Sequence, residues 1–576
     1  MVSKSVSNGE KAADTVLING KFYTVEKEKI WADAIAIEDG TMVYVGSMEG
    51  INPYISPKTK VIDLKGRFAM PSFVEAHIHP MANAYSCLYQ ADLSKLSSTG
   101  EYIDKIREFA KANPDLKGIM GAGFERALYD SIGPKKEWLD KIETTRPIAV
   151  VSQDIHSMWV NSKTLEMLGF TKDAPDPEGG VIQRDPATGE PTGLIQEHGA
   201  MKLAWKLFPA ATKDEYKASL LWVQKWLNKK GITTAHDAWA EFDPNFYEAY
   251  DEMAKEGKLT VRYRGSWYID PTPDYMDQIE HGLELAQKFN HPHFKAHCFK
   301  FLTDQILEEE TALLIEPYAH RPDYYGPKDW ADEDLAAAFI RVDKAGFQIE
   351  VHVIGDGAAK DTINALEKAE KINGKRDSRH SLAHIQVAKP EDVIKMGELG
   401  IAALMSQYWM IMDERFWDFY LPYLGAERAY NETYPHKSLF DAGVNVAVGS
   451  DWPTSEPDVM FAIYSGMKRI MPSRIYKQRH GSDDKFRYVT DPDAELKKYD
   501  ISFLPPENEC VSLEQMLEAS TINGAYANFL EDEIGSIKVG KKADIVVLSK
   551  NLFDIDTQEI PDVKIEMTFF EGKRVY

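Results

Sequence analysis

Through the middle of the chain, short apolar runs alternate with longer segments in which apolar residues recur every third or fourth position, the pattern of strands alternating with amphipathic helices. Eight runs read as strands: FVEAHIH, ITTAHDAW, VRYRGSW, FKAHCFKFLTD, QIEVHVIGD, SLAHIQ, IAALMSQ and VNVAVGSDW. Helical segments lie between them, such as YKASLLWVQKWLNKK, closed by Gly231, and SLEQMLEAST, opened by a Ser512/Gln515 capping box. Eight βα units predict an α/β fold, a (β/α)8 TIM-like barrel rather than an open doubly wound sheet, and no G-x-G-x-x-G follows the first strand.

The two ends have a different period. TVLINGKFYTV, AIAIEDGTMVYVG and VIDLKGRF read as short strands with a hairpin turn at Asp39-Gly40; GSIKVGKKADIVVLS and KIEMTFFEGKRVY read likewise, with a turn at Glu571-Gly572. The expected organisation is a small β-sandwich made from residues 1–68 and 535–576 around a barrel over 69–534. Residues from about 91 to 225 break the βα repeat and read as an insertion after the first strand, at the barrel mouth. A polar stretch, 474–500, follows the last strand and reads as a second rim loop or surface insert.

Composition narrows the function. A formal charge of −24 argues against a general nucleic-acid or acidic-membrane binder and for a small-molecule partner. No run approaches the ~20 apolar residues of a membrane span. The three cysteines, Cys87, Cys298 and Cys510, form no C-x-x-C, so any metal has to use nitrogen and oxygen ligands. The opening MVSKSVSNGEKAAD lacks an apolar h-region, which favours a cytoplasmic enzyme, and a chain with its leader removed would read the same. A homodimer is compatible with this composition.

Polar groups suited to a metal collect near the C-terminal ends of five proposed strands: His77 and His79 on the first, Lys300 on the fourth, His352 on the fifth, His384 on the sixth and Asp451 on the eighth. Taken singly, each has an ordinary reading as a core histidine, a helix cap or a snorkelling lysine. In a barrel those ends converge on one mouth, where catalytic groups gather. Imidazole and carboxylate without thiolate suit Zn²⁺ or a related divalent ion. Lys300 would repel a cation as an ammonium; a carbamate formed with CO₂ would offer two oxygens that could bridge two metals.

The pieces ADTVLINGKFYTV, PSFVEAHIHP, QDIHSMWVNSKTL, GITTAHDA, FKFLTDQ, EVHVIGD, RHSLAHIQ, VAVGSDWP, STINGAYA and GSIKVGKKADIVVL together resemble the amidohydrolase superfamily, in the branch of N-substituted formamide deformylase-like enzymes. The resemblance spans nearly the whole chain. It implies a metal-dependent hydrolase in which His77, His79 and Asp451 hold one metal, His352 and His384 another, and carboxylated Lys300 bridges them; members use one metal or two. This chain departs from the pattern at Ser72, at Glu75 in place of Asp, at Ala383 in place of Glu, and at Asp304-Gln305 in place of Asp-Gly.

The implied reaction is attack of metal-activated water on the sp² carbon of an amide, a formamide or a related non-peptide C–N bond, with Asp451 as the proton acceptor. His156 and His236-Asp237 are candidate catalytic or substrate contacts, and Tyr408, Trp409 and Trp452 candidate pocket walls, each with a structural role as the alternative. A decarboxylase, lyase or isomerase on the same barrel, and a non-catalytic regulatory relative, remain rival readings.

Overall fold

The computed structural model describes residues 12–130, 132–240, 242–472 and 503–576; the stretch expected as a second rim loop lies outside them. All eight expected strands form and pair in parallel, in chain order: β1 (Phe73–Ile78), β2 (Ile232–Ala240), β3 (Arg262–Tyr268), β4 (Phe294–Leu302), β5 (Gln348–Val353), β6 (Ser381–His384), β7 (Ala402–Met405) and β8 (Val446–Val448). They curl into a nearly closed barrel, and the ladder is open only between β1 and β8. That seam is stitched by single bonds: Asp451 N–H donates to His77 O (3.0 Å), and His79 N–H to Trp452 O (3.2 Å).

The helices obey their local signals. Lys213–Lys229 begins at a Thr212/Glu215 capping box and stops before Gly231, whose φ of +80° a side chain would oppose. The Ser512/Gln515 capping box opens Leu513–Ala519. Among the described residues no helix is long and apolar enough to cross a membrane.

The insertion forms its own six-stranded sheet, running from Ala91–Asp92 at one edge to Val181–Arg184 at the other, and its last helix is Glu197–Trp205. It ends earlier than the expected residue 225, because Lys213–Lys229 packs on Pro80–Tyr89 and β2 as a barrel helix.

The chain ends build two small sheets. One holds Thr15–Ile18, Ala34–Glu38, Thr41–Gly46 and Lys60–Asp63; the other interleaves Lys21–Tyr23, Trp31–Ala32 and Phe68–Pro71 with Ile545–Leu548, Ile565–Phe570 and Lys573–Arg574. Leu17, Ile35 and Ile37 from the first share an apolar cluster with Phe22, Ile545, Val547 and Phe569 from the second. Both expected turns, at Asp39-Gly40 and Glu571-Gly572, join antiparallel strands.

A buried ion network ties this unit to the lower pole of the barrel. Arg262, the first residue of β3 and 1% exposed, donates to Asp544 Oδ2 (2.8 Å) and Glu571 Oε1 (3.0 Å), and His293 Nε2 lies 2.9 Å from the same Glu571 oxygen. Burial would raise the Glu571 carboxyl, but His293 and Arg262 bring it down to about 2. A carboxylate depressed on folding stabilises above its unfolded pKa and loses that contribution as pH falls through the folded one. Urea midpoints are therefore expected to fall between about pH 4.5 and pH 2, by the equivalent of ~2 kcal/mol from this group after solvent screening. Glu571→Gln should flatten that part of the profile.

Candidate metal centre

β1 brings His77 and His79 to the mouth, and the turn after β8 brings Asp451 to meet them. Asp451 Oδ1 lies 2.9 Å from His79 Nε2 and 3.2 Å from His77 Nε2. One nitrogen from each imidazole and one carboxylate oxygen fall within 4.8 Å of one another, all on buried residues, a spacing that one cation can draw together. His352 and His384 stand beside them, their ring centroids 4.7 Å apart, with His384 4.9 Å from His77. The donors fit a divalent ion.

Tautomers follow from partners that can only accept. His77 Nδ1–H donates to Glu350 Oε1 (2.5 Å) and its Nε2 faces Asp451 Oδ1 (3.2 Å); with acceptors on both edges, Glu350 and Asp451 outweigh burial and hold this ring above the ordinary imidazole value. His352 Nε2–H donates to Gln305 O (2.9 Å), which leaves Nδ1 with its lone pair. Burial holds His79, His352 and His384 below the ordinary imidazole value, the neutral state that coordination requires. Burial would raise the Asp451 carboxyl, but hydrogen bonds from His77 and His79 hold it well below the ordinary value.

The backbone bends to deliver these groups. His384 (φ +75°) and Asp451 (φ +54°) occupy the left-handed region, at a cost of ~1–3 kcal/mol each, of the kind that concentrates at functional sites. Glu75, the departure noted in β1, accepts from both the N–H and the hydroxyl of Ser450 (2.8 Å each) and so fixes the residue before Asp451. Asp304 accepts three backbone N–H bonds, from Leu313, Ile354 and Gly355, and pins the loop after His352. Gly449 faces β1 so closely that a Cβ would stand 2.7 Å from His77 Cβ. Gly449→Ala is expected to force β8 off β1 and lower metal content, as elemental analysis after reconstitution would read.

The insertion supplies His156, whose ring centroid lies 5.9 Å from that of His352 and whose Nδ1 is 2.8 Å from Glu197 Oε2. Burial alone would push His156 down; Glu197 overcomes this and lifts it to about 9, so the ring is an imidazolium at neutral pH. Trp409 stacks on His384 (centroids 5.0 Å, 18°), and Trp452 follows Asp451 and packs on Trp226.

Three expected site residues go elsewhere. β2 runs on to Ala240, so His236 sits mid-strand, and its two nitrogens meet Asn528 Oδ1 and Ser266 Oγ, each at 2.7 Å. Asp237, fully buried, accepts from Tyr250 OH (2.6 Å), and burial raises it to about 8. Tyr408 is buried against Phe461, with its hydroxyl near Glu75. Sequence reasoning missed Glu350, Glu197 and an aromatic group in which Trp239, at the end of β2, stacks on Tyr268 (3.7 Å) beside His198. The available signal for Glu350 was its place two residues before His352, on the same strand face.

A family model described as the amidohydrolase family matches residues 60–576. The chain belongs to the amidohydrolase family. Among curated proteins this amidohydrolase is similar to Protein LONG AFTER FAR-RED 3 of Arabidopsis thaliana, 27% identical over 98% of this chain and 92% of that one. It is also similar to the N-substituted formamide deformylase of Arthrobacter pascens, 22% identical over 97% of each chain, the branch to which its motifs point. Among solved structures, an uncharacterized metal-dependent hydrolase from Pyrococcus horikoshii superposes with a TM-score of 0.70, at 19% identity, over 94% of this amidohydrolase and 99% of that chain; this similarity speaks for the fold.

Proposed function

We propose that this amidohydrolase is a metal-dependent enzyme that hydrolyses a non-peptide C–N bond of a small molecule, an amide, a formamide or a related group. The observation that carries the reading is the buried triangle of His77, His79 and Asp451 with His352 and His384 beside it. His77, His79 and Asp451 would hold a divalent ion there, Zn²⁺ by the donor chemistry, and that ion would supply Lewis acidity and make a water more acidic. Asp451, ionised at neutral pH, takes the proton and returns it to the leaving amine. His156, held as a cation by Glu197, donates a hydrogen bond to the oxygen on which negative charge develops. Trp409 and the Trp239–Tyr268 stack form an apolar flank for the substrate. Similarity to the Arthrobacter N-substituted formamide deformylase adds weight to a C–N bond. The enzyme is read as cytoplasmic, acting alone or as a homodimer.

The deciding experiment is a panel of amides, formamides, esters and lactones offered to metal-reconstituted protein, with products balanced by mass. Cleavage of a C–N substrate with uptake of one water per turnover is expected. Product without water uptake would point to a lyase, decarboxylase or isomerase, and retained metal with no turnover to a regulatory relative.

A further inference from the structure

Cations gather near the starts of β3 and β4, at the pole of the barrel away from the metal mouth. Arg264 in β3 is directly opposite Lys295 in β4, so the two side chains share a face of the sheet. One step on, the register slips: Gly265 pairs with Ala296 and Ser266 with Cys298, which leaves His297 as the extra residue of a β-bulge. Bulges re-aim the side chains they carry. The His297 ring lies 5.7 Å from that of His236 and 5.9 Å from that of Phe529.

Two other buried cations of these strands are paired, Arg262 with Asp544 and Glu571, and Lys300 with Glu350 Oε1 (3.2 Å). Arg264 is not. It is 6% exposed, and its Nη1 donates to two carbonyls, Tyr263 O (2.9 Å) and Pro292 O (3.3 Å), while among the described residues no carboxylate oxygen lies within 4.0 Å. Glu533, the acidic group whose charge reaches it, stands beyond that distance. Lys295 is exposed and likewise has no acidic partner among the described residues. His297 is 8% exposed, and neither of its ring nitrogens has a hydrogen-bond partner there. Burial and the Arg262 charge bring Arg264 down to about 9, and burial and Arg264 lower Lys295; the cations crowd one another, and Arg264 stays charged at neutral pH. A buried charge without a counter-ion and a buried ring without a partner are both costly.

We propose that Arg264, Lys295 and His297 form a binding site for one small oxyanion of the phosphate or sulfate kind. The guanidinium offers Nε and Nη2 as a planar fork, the ammonium a point charge and the neutral imidazole one N–H, a set that matches the oxygens of a tetrahedral anion. No group has to change its charge. With two of the three residues buried, the ligand is a small ion rather than a polymer. Held there, the anion neutralises the cluster and braces β3 against β4 next to Arg262, where the terminal sheets dock, and stability rises with its concentration by mass action. The site is separate from the metal centre and independent of the reaction proposed for it.

Sulfate is titrated calorimetrically into the zinc-reconstituted full-length protein at constant ionic strength, and selenate, its anomalous scatterer, is soaked into crystals. One saturable sulfate per chain is expected, with the selenium peak within hydrogen-bond reach of Arg264 and Lys295. Heat that never saturates, or a peak confined to the metal centre or to scattered surface lysines, overturns the site. Arg264→Gln is expected to weaken sulfate binding by at least about tenfold, the loss of a charge-assisted hydrogen bond, and Lys295→Gln, a change at an exposed position, to weaken it by a smaller factor. Either variant binding sulfate as tightly as the wild type overturns the role given to that residue. Should Arg264→Gln fail to fold, Lys295→Gln and the wild-type selenium peak still decide.

Discussion

Asp451→Asn is expected to fold, to keep most of its metal and to turn over substrate more slowly by about 10² to 10⁴-fold, the range that general acid–base groups contribute. Asparagine preserves the size of the side chain and one oxygen toward His77 and His79, so the geometry that joins β8 to β1 survives. What it removes is an ionised carboxylate able to receive a proton. The carboxyl is held well below its ordinary value by hydrogen bonds from His77 and His79 that outweigh burial, so in the wild type it stays ionised across the neutral range. The measurement is turnover against pH at matched metal content. The acidic limb of the wild-type profile should be missing from the variant. Turnover near wild type would make Asp451 a ligand only and move the search for a proton acceptor elsewhere in the mouth.

The largest effect on stability is expected at the opposite pole. Arg262→Ala leaves the buried Asp544 without its cation beside Glu571, which keeps only His293. Breaking a buried pair by removing one partner costs about 3–5 kcal/mol, more than the pair itself contributes, because the Asp544 carboxylate, 2% exposed, is left with neither water nor a counter-ion. Arg262 also lies over the face of Phe570 (5.1 Å), so some packing goes with it. Denaturant midpoints should drop accordingly, while metal bound per folded molecule stays unchanged. Arg262→Met with Asp544→Asn, which removes the charges together and keeps the volume, should recover much of the loss; if it does not, packing rather than charge holds the pole.

The barrel was legible because strand and helix periods differ and the strands recur in one order. The candidate ligands stood out because each lies near the end of a strand, where chemistry is expected, and the fold brings His77, His79 and Asp451 together with His352 and His384 beside them. Depth along a strand was not legible. His236 lies at the middle of β2, four residues before its end at Ala240, and the ring is held inside the barrel by Asn528 and Ser266. Glu350 was overlooked for a related reason. A glutamate in an apolar run reads as a solvated interruption, and only the register of β5 on β4 shows that it faces Lys300. Glu197 lies in the insertion, where no βα repeat existed to say which residues return to the mouth. Glu75 and Asp304-Gln305 were visible as departures, but their purpose, gripping Ser450 and the loop after His352, is a matter of contacts far apart in the chain.

The open ladder between the first and last strands has a temporal side. His79 and Asp451 are 372 positions apart, and the seam they share is the last place the barrel can close. As the chain leaves the ribosome, the His77/His79 pair is made early and waits, short of a full donor set, through nearly the whole of synthesis. A nascent or truncated chain ending before β8 therefore carries no finished site with which to capture an ion or start chemistry, and capacity arrives in one step, when the final strand docks.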